Sequence, residues 1–120
     1  MAKFRFQDLE IWQKAIEIGD RLLDIADELE VQKKFRFAEQ LRGAALSISN
    51  NIAEGFGSDS DKEFAQFLNF AKRSCFEDAN MLIVFNRRKL ISKEVQNELL
   101  EELDGECRKI QNFKNILRRG

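Results

Sequence analysis

The 120-residue chain contains no proline and no histidine, only two cysteines and only six glycines. Proline breaks helices and punctuates sheets and loops, so its absence favours long helices joined by short turns. Histidine is the commonest general base and metal ligand near neutral pH, so its absence removes the usual starting point for acid–base or metal chemistry. Cys75 and Cys107 are far apart in sequence and lack zinc-type spacing. They read as small core residues in a reducing compartment. No phosphate-cradling loop is present, because GFGSDSD (Gly55 to Asp61) follows a helix rather than a strand and lacks the lysine such a loop needs. No apolar run is long enough to span a membrane, and the opening MAKFRFQDLE lacks the apolar stretch of a signal peptide. The expectation is a cytoplasmic, non-enzymatic protein with no cofactor, no metal, no small-molecule substrate and no membrane partner.

What is present is ordinary for a soluble helical domain: 43% hydrophobic and 34% charged residues. Twenty basic and twenty-one acidic residues leave a net charge of −1. That balance argues against a nucleic-acid-binding coat over the whole surface and leaves room for a local basic patch. Apolar residues recur at three–four spacing along four segments. The first helix is expected over about 8–30, with Asp8 as its N-cap and Trp12, Ala15, Ile16, Gly19, Leu22, Leu23 and Ala26 on one face. A second line, Ile11–Ile18–Ile25, widens that face. The second helix is expected over 34–55, through Leu41, Ala45, Ile48 and Ile52, with Gly55 ending it. Ser60 and Glu63 form a capping box for the third, over 61–89, with Phe64, Phe67, Leu68, Ala71, Cys75, Leu82 and Phe85 inward. The fourth runs over 92–118, with Val95, Leu99, Leu103, Cys107, Ile110, Phe113 and Leu117 inward; its mid-helix Gly105 has no evident reason. The fold class expected is all-α: one up-down-up-down antiparallel four-helix bundle domain.

Two helices have outer faces unsuited to water. On the second, Gln40, Gly43, Ser47, Asn51 and Glu54 align, small or uncharged except the last. On the third, Phe76 and Ile83 fall among polar residues, with Phe70 and Val84 on a flank. Burying each such side chain is worth about 1.5–3 kcal/mol. These faces, with the second isoleucine line of the first helix, point to a symmetric homo-oligomer.

The segments FQDLEIWQKA (Phe6 to Ala15), AEQLRGAALSISNNIAEGFG (Ala38 to Gly57) and KEFAQFLNFAKRSCFED (Lys62 to Asp78), with the closing amphipathic helix, resemble the four helix bundle protein family. It is also called the 23S rRNA-intervening sequence protein family. Its most specific element here is Gln40-Leu41-Arg42, then Ser47-Ile48, then Asn51-Ile52-Ala53-Glu54-Gly55. The resemblance implies an antiparallel bundle assembled as a homopentamer, often encoded within insertions in ribosomal RNA genes, with no established enzymatic activity. A related branch is basic and binds nucleic acid and a reverse transcriptase. This chain departs from that branch in its mild acidity, and it has Asp78-Ala79 where the family usually carries leucine–glutamate.

Glu54, Glu77 and Asp78 lack the paired Glu-x-x-His elements of a di-iron bundle. Arg42, Asn51, Glu54 and Glu77 are instead expected to form a polar network that holds helix ends and subunits in register. In up-down topology one end of the bundle gathers Lys33, Lys34, Arg36, Arg87, Arg88 and Lys89, opposed by Glu28, Glu30 and Glu94. The cations complement helix C-termini, and repeated around a ring they would make a field able to hold phosphates. The run Arg108-Lys109, Lys114, Arg118-Arg119 points the other way, toward Asp59, Asp61 and Glu63, which are expected to neutralise it in part. Two readings follow: a self-assembling scaffold that binds RNA or a nucleic-acid enzyme through the basic end, or a protein-interaction scaffold with no nucleic-acid role.

Overall fold

The computed structural model describes residues 1–119. A 3-10 turn, Arg5–Asp8, leads into four helices: α1 (Glu10–Val31), α2 (Phe35–Phe56), α3 (Asp61–Arg87) and α4 (Lys93–Arg119). There is no strand among the described residues, and no helix is long and apolar enough to cross a membrane. The helix positions match the apolar periodicity to within two residues at each end.

The caps are local and specific. Leu9, not Asp8, is the N-cap of α1; Asp8 sits in the preceding turn, paired with Lys3 at 2.7 Å. At α3, Ser60 Oγ accepts from the Glu63 amide at 3.1 Å, but the Glu63 carboxylate reaches one residue further back than expected, to the Asp59 amide at 3.2 Å. The α1–α2 and α3–α4 turns are built alike. Lys34 N donates to Leu29 O and Lys33 N to Glu30 O, and Leu90 N donates to Phe85 O and Lys89 N to Asn86 O. This is the double hydrogen bond of a Schellman motif, with Lys33 (φ 64°) and Lys89 (φ 62°) in the left-handed position usually given to glycine.

The core is continuous from Ile11 and Ile18 on α1 through Leu41, Ile48 and Ile52 on α2 to Leu68, Leu82 and Phe85 on α3 and Leu99, Leu103 and Ile110 on α4. The Ile11–Ile18 line therefore faces inward, with Ile25 half-buried, because α1 meets both α2 and α4 and needs a wide apolar sector. It is not part of an outward face. α1 meets α4 through ion pairs: Lys14–Glu102 at 2.9 Å, Arg21–Glu102 and Arg21–Glu98 at 2.8 Å, and Lys109–Glu10 at 2.8 Å. Such half-exposed pairs add modestly to stability and fix the register of the two helices.

Gly55 lies inside the last turn of α2, which continues through Phe56 with Gly57 as C-cap. It is buried, and a Cβ there would stand 2.7 Å from Phe67 Cβ and 2.8 Å from Phe64 Cδ1. Its task is thus a close approach between α2 and α3 rather than helix termination. Beside it, the Phe64 ring meets those of Phe56 and Phe113 at centroid distances of 6.0 and 5.4 Å. Gly105 has open space where a Cβ would stand, and nothing in the structure explains it.

Candidate interface and basic end

The neutral face of α2 is divided between two surroundings. Ser47 is half-buried against α3, where it accepts a hydrogen bond from the Ser74 hydroxyl at 2.8 Å. The Asn51 amide donates to Ser47 O at 2.8 Å and to Ser47 Oγ at 3.0 Å. These polar groups are satisfied within the chain, which accounts for their lack of charge: the helix–helix contact has room for a hydroxyl or amide but no solvent for a lysine head group. One turn toward the N-terminus, Gln40 and Gly43 are exposed and, with Glu77, line an open groove between α2 and α3. Nothing lies within 4 Å of a Cβ built on Gly43.

The single network expected of Arg42, Asn51, Glu54 and Glu77 is replaced by separate groups. Arg42 bonds to Asp27 at 2.9 Å, Glu30 at 2.9 Å and Glu39 at 2.7 Å, joining α1 to α2. Those three carboxylates hold its guanidinium well above its ordinary pKa, Asp27 most strongly. Asn51 belongs to the serine group. Glu54 and Glu77 are exposed. The reason is one of angle: Arg42 projects toward α1 and Ser47 toward α3, while Asn51 turns back along α2 to Ser47.

On α3, Phe76 is 66% exposed and Ile83 is 42% exposed; Phe70, Val84 and, on α2, Leu46 are exposed as well. Lys62, Asn69, Phe76 and Ile83 repeat every seven residues and so share one stripe along α3. That stripe lies nearer α4 than the Ser47–Ser74 contact does, since Asn69 bonds to Lys114 of α4.

The six basic residues Lys33, Lys34, Arg36, Arg87, Arg88 and Lys89 are all exposed. None is in an ion pair among the described residues. The two turns that carry them adjoin: Glu28 and Gln32 of α1 line one hollow with Leu90, Ile91 and Ser92, and the Phe37 and Phe85 rings meet at 5.4 Å. A lysine in the left-handed region is strained relative to glycine by roughly 1–2 kcal/mol. Both turns keep it.

Sequence reasoning missed three ionisable groups in the interior. Asp78 is fully buried and Glu106 is 1% exposed, and neither carboxyl has a hydrogen-bond partner among the described residues. Burial pushes Asp78 up to about 8, helped by the neighbouring Glu77 charge, and burial likewise pushes Glu106 up to about 8. The third is Lys114, 4% exposed. Cys75 and Cys107 face each other from α3 and α4. The Cys75 thiol is pushed far up by its hydrogen bond to Cys107 and by burial, so it stays protonated. No group of three or more metal-ligand side chains converges among the described residues.

The described residues form an all-helical, four-helix domain with six exposed cations where its two like-built turns adjoin. The family model described as 23S rRNA-intervening sequence protein matches residues 7–112, and the chain belongs to that family. Among solved structures it is similar to a protein of unknown function from the S23 ribosomal protein family of Bacteroides thetaiotaomicron. The TM-score is 0.82 at 22% identity, covering 87% of this chain and 97% of that one. At that identity the likeness speaks for the fold alone. No curated protein matches the chain.

Proposed function

We infer that the chain is a cytoplasmic, non-enzymatic, up-down-up-down antiparallel bundle that assembles with copies of itself and holds RNA through its basic end. The observation that carries the RNA reading is the gathering, at two adjoining turns and the helix ends beside them, of six exposed cations in no ion pair among the described residues, two of them left-handed lysines. Cations without acidic partners attract phosphates at little competitive cost, and copies arranged in a ring multiply the field.

Self-assembly is supported by the exposed Phe76 and Ile83 of α3 and by Gly43. A mid-helix glycine costs roughly 1 kcal/mol relative to alanine. Gly43 differs from Gly105 in lying on the open groove between α2 and α3, where its missing side chain leaves room for a second chain. The number five rests on the family resemblance. Gly43→Arg and Phe76→Asp are each expected to dissociate the assembly while helical content is retained, read by light scattering and circular dichroism. An unchanged mass in both variants would refute the proposed face.

Gel shift with a structured RNA at low and moderate salt tests the ligand. Binding is expected at low salt, falling steeply as salt rises, and weakened by Lys33→Glu/Lys89→Glu. Absence of any shift at low salt removes the RNA reading. It leaves a protein-interaction scaffold, the alternative favoured by the net charge of −1.

A further inference from the structure

Lys114 is 4% exposed as a residue yet lines a groove, and among the described residues the one hydrogen-bond partner of its ammonium is a neutral amide, Asn69 Oδ1 at 3.2 Å. Buried lysines ordinarily meet a carboxylate, because an unpaired charge in a low-dielectric setting is costly. Here the charges that act on it are those of the cations Lys72 and Arg118. Lys72, on α3, is likewise held by a neutral amide, Gln111 Oε1 at 2.9 Å. The Lys114 pKa is lowered by burial first and then by Lys72 and Arg118. The acidic residues expected to neutralise this run do not pair with Lys114 or Arg118 among the described residues. Lys114, Arg118 and Lys62 line a groove of about 760 Å³ between the N-terminal half of α3 and the C-terminal half of α4. Asn69 and the exposed ring of Phe70 complete its wall, and Asp61 is the one acid on it among the described residues.

We propose that this groove is a phosphate-binding site, in which the Lys114 ammonium and the Arg118 guanidinium hold the oxyanion of a phosphorylated ligand. An ammonium with one of its three N–H bonds directed at Asn69 keeps two for phosphate oxygens, and a guanidinium offers a matching fork. A doubly charged anion would also relieve the repulsion among Lys72, Lys114 and Arg118. Phe70 adds a face on which a base can stack, so a nucleotide phosphate has more to gain there than phosphate alone. The site lies on a different surface from the six cations of the two turns and does not depend on their role.

The test is titration calorimetry of the full chain at low salt with inorganic pyrophosphate, adenosine monophosphate and a short single-stranded oligoribonucleotide. The variants are Lys114→Met and Arg118→Gln. Methionine keeps the buried aliphatic length of Lys114 and removes a desolvated charge, so the fold is retained. Arg118 is exposed and serves as the second handle. Both small phosphates are expected to bind the wild type, with affinity lowered about tenfold or more in Lys114→Met and several-fold in Arg118→Gln. Failure of both small phosphates to bind, or equal binding by wild type and the two variants, overturns the proposal. The oligonucleotide arm separates the sources. Tighter binding that is also lost in Lys114→Met assigns the site to a nucleic-acid strand, whereas binding of the small phosphates alone assigns it to free phosphorylated ligands and counts against the RNA reading without touching the site.

Discussion

Urea unfolding of the wild-type chain is expected to give a higher free energy at pH 5 than at pH 8, by about 2–4 kcal/mol for each of Asp78 and Glu106. Each acid titrates near its ordinary value when the chain is unfolded and at about 8 when folded. Between those values the folded state binds more protons than the unfolded one, so stability falls as pH rises. The contribution of these two groups is complete below about pH 4 and lost through pH 8. Glu10 and Glu102 act in the opposite sense, since Lys109 holds the first low and Lys14 and Arg21 the second. Their contribution is lost only as pH falls below the ordinary carboxylate range. The maximum of stability is therefore expected on the mildly acidic side of neutrality. The isosteric pair Asp78→Asn/Glu106→Gln buries neutral amides in place of the acids. It is expected to flatten the slope between pH 5 and pH 8 and to exceed the wild type in stability at pH 8. A wild-type profile that is level or rising over that interval would show that the two carboxyls find partners in solution.

These acids also mark the limit of what periodicity reveals. The expected core of α3 stepped from Cys75 to Leu82, and that of α4 from Leu103 to Cys107. The seven-residue step on α3 leaves vacant the inward position that Asp78 occupies, so the geometry there was legible but the chemical type of the residue prevailed. The four-residue step on α4 is complete in itself, and Glu106, three residues after Leu103, broadens the buried face without a gap in the spacing to mark it. The four helices, their limits and the core line of α2 were legible because apolar spacing fixes them directly. The division of the α2 face was not. Ser47, Asn51 and Gly43 are equally small or neutral in sequence, and only the packing of α3 on α2 separates Ser47, which meets Ser74 and in turn holds Asn51, from the glycine left open. Lys114 was hidden for a related reason: its aliphatic stem covers apolar surface wherever its head points, so no hydropathy pattern distinguishes a solvated lysine from a buried one.

Gly55 and Gly105 allow the same substitution to be made with opposite expected signs. In a helix interior alanine is favoured over glycine by roughly 1 kcal/mol. Gly105→Ala places a methyl group in open space and is expected to stabilise the chain by about that amount. At Gly55 the same methyl group meets Phe67 Cβ at 2.7 Å and Phe64 Cδ1 at 2.8 Å. Cβ cannot swing aside as the tip of a long side chain can, so α2 and α3 must separate or the Phe64 ring must turn. Phe64 in turn holds Phe56 and Phe113, so the disturbance spreads to the end of α4. Overpacking of this kind costs about 1–3 kcal/mol beyond any gain in helix propensity. Gly55→Ala is thus expected to destabilise, with the loss concentrated where α2 ends and α3 begins. Denaturant midpoints for the two variants read the sign, and amide hydrogen exchange reads the place. Stabilisation by both substitutions would mean that α2 and α3 are further apart at Gly55 than the structure has them, and that this glycine ends the helix after all.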